Sequence, residues 1–247
     1  MTLLRSVVFN ILFYANLAVL MIVALPTFLM PRHAILAMAK LWARSSIWLL
    51  RVICGTKMEV RGLERLPKGP LIVAAKHQSA FETFALLPLF DDPTFILKRE
   101  LMWLPLFGWF AAKARMVPVD RSAGAQALNA MTRRAREETL AGRQLLIFPE
   151  GTRRPPGAEP RYKYGVAHLY AAIGAPCVPV ALNSGLFWPR RSLLRHPGTI
   201  VVEFLEPIAP GLDKADFHQR LQNEIETTST CLVEEAGGIA VMSSRSA

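Results

Sequence analysis

Cysteine is scarce in this chain of 247 residues: Cys54, Cys177 and Cys231 are the only three, far apart and in apolar surroundings. That spacing fits no metal-ligand pattern, and an odd number of scattered thiols excludes a disulfide framework and fits a reducing compartment. Acidic residues are also few, 19 against 29 lysines and arginines, for a net charge of +10. A deficit of that kind implies an anionic partner: nucleic acid, a membrane surface or an acidic substrate. Stacking aromatics interleaved with the basic residues are missing, as are zinc-finger and RNA-binding signatures, so nucleic acid is the weakest of the three. There is no internal repeat. No small-residue cleavage site follows the apolar N-terminus, which is too long for a signal-peptide core.

What is present begins with that N-terminus. Hydrophobic residues make up 52% of the chain, and the excess sits in the first 54 residues. Val7 to Met30 carries no charge and is flanked by Arg5 and by Arg32 and His33. At ~1.5 Å per residue such a helix reaches ~36 Å, enough for a hydrocarbon core of ~30 Å with some tilt. Asn10, Asn16 and Pro26 argue against a simple straight span. In Ala34–Cys54, His33, Lys40, Arg44 and Arg51 fall within about 40° of one another on a helical wheel, leaving the rest apolar. That pattern suits a helix in the headgroup region, or one packed on a core with a basic outer face. Basic residues at both ends of the first segment leave its orientation undecided, as a hairpin entering and leaving on one face would. Three regions are expected: a membrane-associated hairpin over 1–54, a globular domain over 55–236 and a flexible tail over 237–247.

From Lys57 onward, short β-rich runs alternate with helical patterns. Strands are expected at Met58–Arg61, Leu71–Ala75, Thr94–Lys98, Met116–Val119, Gln144–Phe148, Cys177–Ala181 and Thr199–Leu205, and helices at Phe81–Phe90, Gln126–Leu140, Gly165–Ile173 and Lys214–Glu234. Continuous apolar runs such as LIVAA and LLIF predict a central sheet covered on both faces. The class is α/β: a central mixed sheet flanked by helices, with the two-helix membrane segment in front.

Two stretches carry candidate chemistry. In KHQSAFETF, residues 76–84, His77 follows a buried strand, where α/β proteins place reacting groups. Glu82 lies five positions on, about 140° away on one ideal helix, so the two meet only if His77 sits in the turn before the helix. The carboxylate can then fix the imidazole tautomer and leave the other nitrogen as a base. Ser79 and Glu82 are equally a capping box, which explains both without chemistry but leaves His77 unexplained. In FPEGTR, residues 148–153, Pro149 and Gly151 place Glu150, Thr152 and Arg153 at the end of the strongest strand. Arg153 offers a planar donor fork suited to phosphate. Glu150 can bond acceptor hydroxyls or pair with Arg153 and stiffen the loop. Arg154, Arg161 and Lys163 crowd the same loop, which speaks against a plain charged turn. MVPVDR, 116–121, places Arg121 after a strand beside Asp120, and CVPVALNSG, 177–185, reads as core and turn.

These motifs together resemble the glycerophosphate acyltransferase superfamily, specifically the 1-acylglycerol-3-phosphate acyltransferases, over roughly residues 55–210. KHQSAFE is similar to the family's His-x-x-x-x-Asp block, which implies His77 as general base with Glu82 in place of the usual Asp. ARMVPVDR resembles the second block and implies that Arg121 binds the acceptor's phosphate. FPEGTR resembles the third and implies acceptor binding by Glu150, Gly151, Thr152 and Arg153, and VPVAL the fourth, which shapes the acyl site. LKRELMWLPLFGW, 97–109, is similar to the linking segment, with Lys98 as a further phosphate contact and Lys163 as another. The resemblance implies direct transfer of an acyl chain from acyl-CoA or acyl carrier protein to the 2-hydroxyl of lysophosphatidic acid, giving phosphatidic acid in phospholipid biosynthesis. Neither a metal nor a nucleophilic Ser or Cys nor any other cofactor is implied, and the site is expected at the cytoplasmic face of a bacterial inner membrane. Two other readings stand beside it: an acyltransferase for another lysolipid acceptor, and a non-catalytic lipid-binding membrane protein.

Overall fold

The computed structural model describes residues 1–120 and 124–238. Two helices come first, α1 (Thr2–Val23) and α2 (Arg32–Leu49), followed by seven strands: β1 (Thr56–Arg61), β2 (Leu71–Ala75), β3 (Pro93–Lys98), β4 (Val117–Val119), β5 (Gln144–Ile147), β6 (Cys177–Leu182) and β7 (Gly198–Phe204). Between and after the strands lie α3 (Glu82–Ala85), α4 (Phe107–Lys113), α5 (Gly124–Leu140), α6 (Gly165–Ile173) and α7 (Lys214–Glu235). The strands form one sheet in the order β1-β7-β6-β2-β5-β3-β4. All neighbours are parallel except β6 and β7. The sheet is therefore mixed, as expected.

Strand alternation builds the two covering layers. Leu71, Val73 and Ala75 of β2 face a core shared with Phe9, Phe13, Ala43, Phe81 and Phe84, on the side of α1, α2 and α3. Ile72 and Ala74 face the opposite core with Met131, Ala135, Leu169, Phe217 and Leu221 of α5, α6 and α7. Burial on both faces is why these strands read as unbroken apolar runs.

The N-terminal helices are docked on this domain. α1 is long and apolar enough to cross a membrane, with mean hydropathy 2.2 over an 18-residue window of which 17% is buried. Its early polar residues serve the domain: Asn10 donates to the Leu193 carbonyl at 2.9 Å and accepts from Arg195 at 2.9 Å, and Asn16 donates to Ser45 of α2 at 2.8 Å. The apolar run does not continue as one helix to Met30. It breaks after Val23 into a 3-10 turn, Leu25–Leu29, because Pro26 has no N–H to donate to the preceding turn. There Phe28 stacks on Phe110 of α4 at 4.8 Å, so α1 is held near both ends. In α2, Lys40 donates to the Asp91 carbonyl at 2.7 Å and Arg32 pairs with Asp92. Asp92 is shared with the buried Arg143, whose other donors reach Glu138 and the carbonyls of Pro93, Ala114 and Arg115.

Two other expectations shift. The helix expected over 81–90 is only α3 plus a 3-10 turn at Leu87–Leu89, since Pro88 removes a donor and disfavours helical backbone at Leu87. Residues 107–113, within and beyond the linking segment, form α4.

Candidate active site

The carboxyl ends of β6, β2, β5 and β3 lie side by side along one edge of the sheet. β2 delivers Lys76 and His77 there, β5 delivers Phe148 to Arg153, β6 delivers Asn183 and Ser184, and β3 ends at Lys98. The parallel register sets Ala74 against Ile147 and Phe95 against Leu146. Extending it places Lys98 level with Pro149 and Lys76, about two strand spacings (~10 Å) from β2.

His77 lies in the turn ahead of α3, the placement that lets it meet Glu82. Its Nδ1 is 2.9 Å from Glu82 Oε1. The same Oε1 accepts from the backbone N–H of Gln78 and of Ser79, each at 2.7 Å. Oε2 accepts from the hydroxyls of Ser79 at 3.0 Å and Ser184 at 2.8 Å. Ser79 Oγ in turn accepts from Phe81 N at 2.9 Å. The expected capping box is formed only in part: Glu82 reaches back to Ser79 N, but Ser79 Oγ bonds Phe81 N, and α3 starts at Glu82 with Phe81 as its N-cap and no side-chain cap. The same carboxylate has lone pairs enough to hold the turn and the imidazole together. Glu82 is 0% exposed. Burial is the strongest single influence and raises its pKa, but His77, the Ser79 backbone and Ser184 together outweigh it and hold the carboxyl below its ordinary value.

Because the carboxylate accepts at Nδ1, that nitrogen carries the hydrogen and Nε2 keeps its lone pair. Among the described residues Nε2 has no hydrogen-bond partner, and the ring is 13% exposed. Phe148 stacks against the imidazole at 4.3 Å, fixing its plane.

The FPEGTR loop sits against this pair. Arg154 N donates to the His77 carbonyl at 2.8 Å, and Lys163 N donates to the Pro149 carbonyl at 2.8 Å. Gly151 makes the turn with a φ of 65°, a backbone region that side chains rarely adopt. Thr152 and Lys163 are exposed and Arg153 half-buried. Among the described residues, the guanidinium groups of Arg153, Arg154 and Arg190 form no ion pair, while Arg161 pairs with Glu159 on the surface. Arg190 instead donates to the Arg153 carbonyl at 2.7 Å.

Glu150 turns inward. Its Oε1 is 2.9 Å from Lys76 Nζ and its Oε2 accepts from His77 N at 2.8 Å, so it does not pair with Arg153. Burial raises its pKa, against the pull of Lys76 and the His77 N–H. Lys76 is also 2.6 Å from Glu226 of α7, which accepts from the Tyr162 hydroxyl at 2.8 Å. Lys98 is exposed, and Asp120 pairs with Arg99. Arg121 lies outside the described residues.

Sequence reasoning did not single out Lys76, Tyr162, Ser184, Arg190 or Glu226 as parts of this corner. Lys76 and Ser184 stand next to flagged residues and at strand ends, a signal that could have found them. Glu226 lies on a helix 76 positions beyond Glu150, and nothing local marks it.

An α/β sheet that carries, at one edge, a carboxylate-held imidazole beside guanidinium groups with no ion pair among the described residues is built to set a base next to an anion. The chain belongs to the family described as Acyltransferase, whose model matches residues 57–183. Among its relatives, the 1-acyl-sn-glycerol-3-phosphate acyltransferase of Pseudomonas aeruginosa is 42% identical over 161 residues, covering 65% of this chain and 63% of that protein. That of Limnanthes alba is 30% identical over 184 residues, covering 72% of this chain and 64% of that protein. The chain thus spans just under two thirds of the length of these relatives. The crystal structure of the 1-acyl-sn-glycerophosphate acyltransferase from Thermotoga maritima superposes with a TM-score of 0.77 over 93% of this chain and 96% of that one, at 23% identity, and shares the fold.

Proposed function

We propose that the chain transfers a fatty acyl group from acyl-CoA or acyl carrier protein to the 2-hydroxyl of 1-acyl-glycerol 3-phosphate. The observation that carries this reading is the His77–Glu82 contact of 2.9 Å, with an ionised carboxylate on one side of the ring and a free Nε2 on the other. In this mechanism Nε2 takes the proton of the acceptor hydroxyl as its oxygen forms a bond to the thioester carbonyl carbon. The C–S bond then breaks, and the imidazolium returns its proton to the departing thiolate. A positioned base of this kind contributes about 10²–10⁴-fold.

Arg153 is assigned to the acceptor's phosphate, since its guanidinium forms no ion pair among the described residues and its loop is bonded to the His77 carbonyl. Lys98, Lys163 and Arg121 are assigned as further phosphate contacts, and Gly151 and Thr152 to the rim of the same loop. Glu150 is reassigned from acceptor hydroxyls to holding His77 through its backbone, because it is 1% exposed and each of its oxygens already meets a protein donor. The attachment of α1 near both ends favours a hairpin that enters and leaves the bilayer on the domain's side. The site is assigned to the cytoplasmic face of a bacterial inner membrane, the side on which both proposed donors are soluble.

A panel pairing both donors with lysophosphatidic acid, other lysophospholipids and glycerol 3-phosphate, read by product mass, tests the assignment. Phosphatidic acid should form and should be lost in His77→Ala. A folded chain that acylates none of these acceptors, or a His77→Ala variant with most activity retained, overturns it.

A further inference from the structure

We infer that residues 101–109, running from the turn after β3 into the first turn of α4, form a second bilayer contact, separate from the N-terminal helices and set beside the site. Leu101, Trp103, Leu104, Phe107 and Trp109 are 36, 69, 49, 38 and 61% exposed. Single exposed apolar residues are ordinary, but five within nine positions, two of them indoles, form a patch that calls for a partner.

The backbone presents this patch in a fixed shape. Leu106 is held at a φ of 62°, and Gly108 N bonds the Leu104 carbonyl at 2.8 Å. A Cβ at Gly108 would lie 1.9 Å from the Met102 carbonyl oxygen, so the turn closes only with glycine there.

Lipid is the partner that the surroundings fit. The patch adjoins the α1–α2 turn: Phe110 stacks on Phe28, and Lys113 donates to the Phe28 carbonyl at 3.1 Å. In that turn Leu25, Leu29 and Met30 are exposed, so the apolar surface of α1 runs on into the patch. Lys98 and Arg99 precede it and Lys113 and Arg115 follow it, with Glu100 the only acid from 97 to 118. Indoles bracketed by basic side chains match the boundary between acyl chains and anionic headgroups. The segment leaves the sheet at Lys98, on the edge that carries His77. A bilayer met there keeps an acceptor's acyl chain in lipid while its glycerol reaches the imidazole.

The test has two arms, and only the second rests on the proposed reaction. In a Cys231→Ser background, Leu104→Cys and, as a control on the exposed face of α5, Glu137→Cys are labelled with a polarity-sensitive fluorophore. The full chain is then reconstituted into phosphatidylcholine–phosphatidylglycerol vesicles with and without brominated acyl chains. The label at 104 should shift blue and be quenched by bromine, and the label at 137 should do neither. Identical behaviour at both sites overturns the inference, as does a blue shift at 104 that follows protein concentration instead of lipid, which would indicate a second copy. In the second arm, Trp103→Ser/Trp109→Ser should raise KM for a long-chain acceptor in vesicles about tenfold and leave a short-chain, water-soluble acceptor unaffected. Equal change for both acceptors overturns the inference. If the parent chain acylates nothing, the reaction assignment fails while the first arm still decides the contact.

Discussion

Glu82→Gln separates the two jobs that the Glu82 carboxylate performs in the structure. An amide can still hold the turn ahead of α3, because its oxygen can replace Oε1 toward Gln78 N, Ser79 N and His77 Nδ1, and the Ser79 and Ser184 hydroxyls can rotate to accept from its NH₂. It cannot hold the negative charge that stabilises an imidazolium in a site where the carboxylate is 0% exposed. A hydrogen bond to a charged group is worth about 1.5–3 kcal/mol, or about 10–150-fold, and a positioned base as a whole about 10²–10⁴-fold. The expected loss in kcat is therefore about 10²-fold, with the fold intact. Glu82→Asp keeps the charge but retracts it by one methylene, about 1.5 Å, which stretches contacts now at 2.7–2.9 Å unless α3 moves. It should lose less activity and more stability than the Gln variant. Product formation from acyl-CoA and lysophosphatidic acid, with urea unfolding of each variant, decides this. A folded Gln variant with kcat within threefold of the parent's (about 0.65 kcal/mol) would reduce Glu82 to a tie for the turn and refute the relay.

Other expectations follow from the same geometry. Arg153→Ala should raise KM for the acceptor more than for the donor, and an equal rise for both, measured by varying each substrate in turn, contradicts the phosphate assignment. Ser184→Ala removes a buried hydroxyl that donates to an ionised carboxylate at 2.8 Å and should cost about 1.5–3 kcal/mol of stability in denaturant unfolding. Because the Glu82 carboxyl is held below its ordinary value of 4.5, its contribution to stability is complete above that value and drains as the pH falls through its lower folded-state value. The parent and Glu82→Gln should therefore converge in stability as the pH is taken progressively below 4.5, as urea titrations at several pH values would show.

The fold was legible wherever one residue pattern had one physical meaning. Leu71–Ala75 and Gly165–Ile173 read correctly to the residue because a strand buried on both faces and a nine-residue amphipathic helix leave little ambiguity. Pro26 and Pro88 were visible, but how far each would break the helix around it depended on tertiary contacts. Within the site, His77, Glu82 and the FPEGTR loop were legible because their separations are local. The inward turn of Glu150 was not, since its partner Lys76 is held by Glu226 and Tyr162 from elements that only the topology brings near. The docking of Asn10 on Arg195 was hidden for the same reason: a contact 185 positions apart leaves no periodic trace.

The ion bridge from Lys76 to Glu226 also sets an order of events during synthesis. α1 and α2 are made before any strand of the sheet on which they dock. The Lys76 ammonium beside His77, however, gains its second carboxylate only when α7 arrives. The corner around His77 therefore stays unfinished until the chain has been made as far as α7.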